Sequence, residues 1–147
     1  MEWLRQLSGQ TVGLDTSPLI YFIERHPLYF PVVEPFFAAV ARGEIQVVTS
    51  TLTLTEVLVH PYRHRNATLA REYSEILLHA RNVRTFPVSP EIAAEAAHLR
   101  ALYGLRTPDA IQLATAQESQ ATAILTNDEG MEKAATLQVL VLKRLLP

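Results

Sequence analysis

The chain has no cysteine, which excludes a disulfide framework and any thiolate metal site. Glycine is scarce, with 5 in 147 residues, and Gly9, Gly13, Gly43, Gly104 and Gly130 spell neither a GxGxxG fingerprint nor a P-loop. Nucleotide binding by those two routes is therefore excluded. No GxSxG elbow occurs, so a serine hydrolase has no support. No apolar run approaches the ~20 residues of a membrane span. The start, Met1-Glu2-Trp3-Leu4-Arg5, carries an acid and lacks a long apolar stretch, so no secretory signal is expected and the chain is expected in the cytoplasm. Basic excess is also lacking. A net charge of −2 argues against bulk, nonspecific binding to nucleic-acid phosphates. A local basic patch remains at His60, Arg63, His64 and Arg65, for which a solvated loop is the plainer reading. The five histidines, at 26, 60, 64, 79 and 98, do not cluster with the acids in sequence.

What is present is the composition of an ordinary globular protein, 48% apolar and 19% charged. A length of 147 residues fits one domain, 1–147, with a substantial core. Apolar runs alternate with helical patterns along the whole chain. Strands are expected at 11–15, 45–48, 83–88, 121–126 and 137–142. Helices are expected at 17–25, 30–42, from 50 or 51 to a stop near His60-Pro61, and at 66–81, 89–103, 107–120 and 129–135. Ser17 with Pro18 suggests a cap and first helical position. Strands alternating with helices imply right-handed βαβ units, hence an α/β fold with a parallel sheet covered on both faces.

Four carboxylates hold strategic places in that pattern. Asp15 ends the first strand, and Asp128 lies just past the strand 121–126. In a doubly wound sheet both meet the carboxyl edge, where ligands bind. Glu56 lies in the helix that leaves the second strand and so starts near the same edge. Asp109 lies in the first turn of its helix and joins the others only if that helix begins there. Each acid alone has a structural explanation, such as capping or favouring a helix dipole. Together they would not all stay ionised in one pocket without a counter-charge. Hard oxygen ligands, with no cysteine, favour Mg²⁺ or Mn²⁺ over zinc. The chemistry implied is metal-assisted hydrolysis of a phosphodiester.

Four stretches carry a resemblance to a known family. They are Gly13-Leu14-Asp15-Thr16-Ser17, Ser50-Thr51-Leu52-Thr53-Leu54-Thr55-Glu56-Val57, the run from Arg106 through Thr107-Pro108-Asp109-Ala110 to Ala116, and Leu125-Thr126-Asn127-Asp128. In order and spacing these resemble the PIN domain, and in particular the VapC-like ribonuclease toxins of bacterial toxin–antitoxin operons. The resemblance covers about residues 11–142. It implies a single-domain α/β/α sandwich with strand order 3-2-1-4-5. It implies that Asp15, Glu56 and Asp109 are the three core acids and Asp128 the more variable fourth, binding Mg²⁺ or Mn²⁺ to cut single-stranded RNA. Thr16 and Thr126 match positions where a hydroxyl supports the site. The chain departs from the pattern after Asp128, where Glu129-Gly130-Met131 replaces a run that often ends in an aromatic residue. The family also implies a homodimer and an antitoxin partner. The alternative function is a non-catalytic PIN-like module that binds RNA or another protein. A receiver-type domain fits less well, because Thr16 and Ser17 follow Asp15 instead of a second acid, and Lys133 and Lys143 have no clear place in such a site. The aromatic residues Tyr21, Phe22, Tyr29 and Phe30 suit either an interface or the core.

Overall fold

A computed structural model describes residues 1–147. The elements in chain order are α1 (Glu2–Arg5), β1 (Thr11–Leu14), α2 (Thr16–Ile23), α3 (Phe30–Ala41), β2 (Gln46–Ser50), α4 (Thr51–Arg63), α5 (Ala67–Leu78), β3 (Val83–Phe86), α6 (Pro90–Tyr103), α7 (Thr107–Glu118), β4 (Ala123–Thr126) and β5 (Gln138–Val141). All five strands are parallel and lie in the order β3-β2-β1-β4-β5. The α/β architecture and strand order expected from the sequence are both present. The order reverses at β1, which puts its carboxyl end, and therefore Asp15, at the crevice of the sheet.

Strand alternation sends successive side chains to opposite faces. Val12, Leu14, Val47, Ala123, Leu125 and Leu140 pack with Leu19 of α2 and the apolar face of α3 in the larger core. Gly13, between Val12 and Leu14, turns to the other face and meets α7. Val48 and Ile124 pack there with Ala116 of α7 and with Met131. Met131 is fully buried, so it fills the space that the departure after Asp128 had left without an aromatic residue. The stacks Tyr21–Tyr29, at 4.7 Å between ring centroids, and Phe22–Phe37, at 4.3 Å, tie α2 to α3, and the aromatic run is part of the packing.

Several boundaries differ from the sequence expectation. Asp15, rather than Ser17, caps α2, with extended backbone and its carboxylate accepting from the Thr16 amide. Pro18 is compatible with this because every amide of the first turn lacks an intrahelical partner anyway. α4 does not stop at Pro61 but continues to Arg63. Near a helix end a proline removes only its own bond, and the amides of His64 and Asn66 still reach the His60 and Pro61 carbonyls. Of the basic residues, His60 and Arg63 thus lie in the last turn of α4, and only His64 and Arg65 lie in the turn that follows it. The segment after Asp128 is a 3₁₀ turn, Glu129–Met131, instead of a full helix. The helix α1, absent from the expectation, is a single short turn that lays Trp3 on Phe36. No helix is long and apolar enough to cross a membrane.

The tightest approach in the fold is between Gly13 and α7. A Cβ on Gly13 would stand 2.6 Å from the Cβ of Ala116, with Ile124 behind it. Both obstacles belong to packed elements that cannot yield freely. Gly13→Ala is expected to destabilise the protein by about 1–3 kcal/mol in urea unfolding. The double variant Gly13→Ala/Ala116→Gly should recover part of that loss despite glycine's cost within a helix of about 1 kcal/mol. Purely additive losses would contradict the steric account.

Candidate active site

Asp15 is held by three separate features of local structure. The end of β1 delivers it, its Oδ1 accepts from the Thr16 amide at 2.8 Å, and its Oδ2 accepts from Thr126 Oγ1 at 2.7 Å. Thr126 ends β4, the strand beside β1, so neighbouring strand ends fix one carboxylate. The same Thr126 oxygen accepts from the Asp128 amide at 2.9 Å and orients the turn that carries Asp128. Asp128 Oδ1 in turn accepts from the Gly130 amide at 2.8 Å, which anchors the 3₁₀ turn.

Glu56 is held from the other side. Thr16 Oγ1 donates to Glu56 Oε1 at 2.7 Å. Behind it lies a buried polar network that the sequence did not announce. Gln112 Nε2 donates to Thr53 Oγ1 at 2.5 Å and reaches Thr16 Oγ1 at 3.4 Å. Thr49 Oγ1 donates to the Leu14 carbonyl at 2.8 Å and lies 3.2 Å from Thr53 Oγ1. The proton inventory sets the direction of the network. Thr16 spends its one proton on Glu56, and Thr49 spends its own on Leu14. Thr53 therefore donates to one of those two while accepting from Gln112. The protons run outward from Gln112, and no buried side-chain nitrogen or oxygen is left without a partner. Gln112 and Thr53 thus position Glu56 through Thr16. Gln112 has one legible signal, a polar side chain on the apolar face of α7, four residues from Ala116.

The four predicted acids converge. Asp15, Glu56, Asp109 and Asp128 line one cavity of about 280 Å³ with Thr16, Ser17, Tyr21, Arg106, Pro108 and Asn127. α7 begins at the carboxyl edge of the sheet, which is the condition Asp109 needed. Thr16 and Thr126 stand where the sequence placed them, each bonded to an acid. Tyr21, Arg106 and Asn127 are additional lining residues. Arg106 is the one cation among them, with Nε 3.0 Å from Asp109 Oδ2 and the second nitrogen 3.5 Å from Oδ1.

Crowding like charges at a buried edge has a cost, and Asp15 carries the most of it. Burial, opposed by its hydrogen bonds to Thr126 and Thr16 and reinforced by the charges of Asp109 and Glu56, pushes its carboxyl from 3.8 up to about 6. Burial also raises Asp109. The Arg106 guanidinium opposes that rise, and the Asp128 charge adds to it. No three acids here stand close enough to grip one bare ion directly. The donor set nevertheless fits a hydrated hard cation. It is all oxygen, anionic beyond what Arg106 neutralises, and lines an open polar cavity, as suits Mg²⁺ or Mn²⁺ keeping several waters.

Comparison with known proteins places this arrangement. The PIN domain family model matches residues 12–137. The chain belongs to the PIN domain family. Among curated proteins none matches the chain. Solved structures similar to this PIN domain include VapBC2 from Rickettsia felis bound to a DNA fragment of its promoter, at TM-score 0.69 and 16% identity, over 88% of this chain and 96% of that one. A toxin–antitoxin complex from Klebsiella pneumoniae gives TM-score 0.62 and 22% identity over 83% and 90% of the two chains. DNA-bound VapBC from Salmonella typhimurium gives 0.59 and 17% over 88% and 96%. At such identities the likeness speaks for the fold.

The raised Asp15 carboxyl predicts a pH dependence of the metal-free PIN domain. Because the folded value lies above the unfolded one, the contribution of Asp15 to stability is fully present below about pH 4. It is lost as pH rises through about 6, by roughly 2–3 kcal/mol. In EDTA, Asp15→Asn is expected to melt above the wild type at pH 7.5, and the gap should close as pH approaches 4. A gap of constant size across that range would show that the carboxylate is not under this strain.

Proposed function

We propose that this PIN domain is a divalent-metal-dependent endoribonuclease and the toxin of a toxin–antitoxin pair. The observation that carries the reading is the convergence of Asp15, Glu56, Asp109 and Asp128 on one cavity at the switch point of the sheet. Family membership supports nuclease chemistry. Structural likeness to chains named as toxin–antitoxin proteins supports an antitoxin as a partner. A homodimer and cytoplasmic RNA complete the proposal.

In this reading the four carboxylates hold Mg²⁺ or Mn²⁺, directly or through water. Bound there, the ion supplies an acidified water and neutralises charge on the scissile phosphate. The chain's own work is to prepare the cup. Asp15 is fixed by Thr126 and the Thr16 amide, so it does not reorganise on binding. Thr16 keeps Glu56 turned inward, backed by Gln112 and Thr53. Asp109, at the first turn of α7, benefits from the positive end of that helix. Beyond the four acids the cavity is lined by Arg106, Tyr21, Asn127, Pro108 and the hydroxyls of Thr16 and Ser17, with no histidine or further carboxylate to act as a separate general base.

The test is cleavage of RNA with Mg²⁺ or Mn²⁺ present. Asp15→Asn and Asp109→Asn are each expected to lower the rate by at least about 100-fold with the circular dichroism spectrum unchanged, and EDTA should abolish it. Cleavage by either variant at the wild-type rate would refute the assignment. Absence of cleavage by the wild type, with RNA still bound, would favour the interaction module instead. A second expectation concerns Gln112. Gln112→Leu should reduce activity about tenfold through a displaced Glu56, and Thr53→Val should do the same while also leaving the Gln112 amide unsatisfied, at about 1–3 kcal/mol in denaturant.

A further inference from the structure

Arg106 is placed where helix energetics disfavour it. It is the N-cap residue of α7 and makes no side-chain capping bond. A cation at the positive end of a helix dipole is unfavourable. Its guanidinium nevertheless turns into the acidic cavity and spans both oxygens of Asp109. It therefore occupies carboxylate oxygens of Asp109 that would otherwise be open to a cation in the cavity. The arginine side chain is 79% exposed while that of Asp109 is 11% exposed, so of the two it is the arginine that has room to swing away. With its cationic partner in solvent, such a pair is weak and screened by salt. A guanidinium fork also fits a phosphate in two-point contact, as it fits a carboxylate.

We propose that Arg106 is a displaceable counter-ion of the site. It covers Asp109 while no divalent ion is bound, and yields it to the ion. It then turns its fork to the two non-bridging oxygens of an RNA phosphate at the rim of the cavity. The inference rests on the metal-nuclease reading and adds a positioning residue with two partners in succession. One residue then affects the two ligands in opposite directions. Arg106 opposes binding of the ion and favours binding of the substrate.

The experiment is isothermal calorimetry with Mn²⁺ alone on the full chain, paired with steady-state cleavage of a single-stranded RNA. Arg106→Gln is expected to bind Mn²⁺ about three- to tenfold more tightly than the wild type, because both the competing fork and its repulsion are gone. The same variant should raise KM for RNA severalfold with a smaller change in kcat. Arg106→Lys, which keeps the charge but not the fork, should lie between the two in both measurements. A purely structural arginine would weaken both ligands or affect neither, so any result in which Mn²⁺ affinity does not rise or KM does not rise overturns the proposal. Failure of the wild type to bind Mn²⁺ at all would instead remove the metal-nuclease reading, and this inference with it.

Discussion

One constraint shapes the rest of the structure: a carboxyl group is held in a fixed orientation at the buried carboxyl end of the central strand. Asp15 is 8% exposed, and nothing in an apolar sheet favours it there. The fold compensates with donors drawn from separate elements. The first amide of α2 and the hydroxyl at the end of β4 each supply one hydrogen bond. These bonds reduce the penalty without removing it, since the carboxyl remains above its ordinary range. The residual imbalance is what makes the site receptive to positive charge.

Around that centre the remaining acids are placed by different physics. Glu56 stands on a helix side and is turned by neutral hydroxyls backed by a buried amide. Asp109 is placed by helix start and topology. Asp128 is placed by a turn whose own amide is bonded to Thr126. A single threonine thus serves two of the carboxylates, and another, Thr16, touches the other pair of elements, α2 and α4. Hydroxyls suit this role because each both donates and accepts, so they relay orientation between groups of like charge without adding charge of their own.

The sequence carried most of this in its punctuation. Apolar runs closed by Asp15 and by Asn127-Asp128 placed two acids at the sheet edge, while the Thr107-Pro108-Asp109 helix start put Asp109 in a first turn whose position only the structure supplies. The spatial order of strands came from family resemblance, because alternation of elements does not say which strands are neighbours. What stayed hidden was what depends on distance across the fold. The place of Gln112 on the apolar face of α7 hints at burial, but not at its partners, which lie at positions 16 and 53. Arg106 stands out in the sequence only as the residue ahead of the Thr107-Pro108-Asp109 helix start, until α7 is set against the acids. Pro61 misled for a related reason, since a local rule about proline ignored how little bonding is lost near a helix end. The cap of α2 moved from Ser17 to Asp15 because a side chain singled out for chemistry also does structural work.

The missing side chain at Gly13 has a consequence for the geometry of the cup. Ala116 lies seven residues beyond Asp109 on the same helix, about 10 Å along its axis. The notch at Gly13 lies two residues before Asp15 on the strand. Seating one in the other works as a detent against sliding of α7 over β1. A slip of one helical turn, about 5.4 Å, would carry Asp109 beyond reach of its neighbours. The spacing between two anionic groups is therefore gauged from below, by a position that carries no charge and touches no ligand.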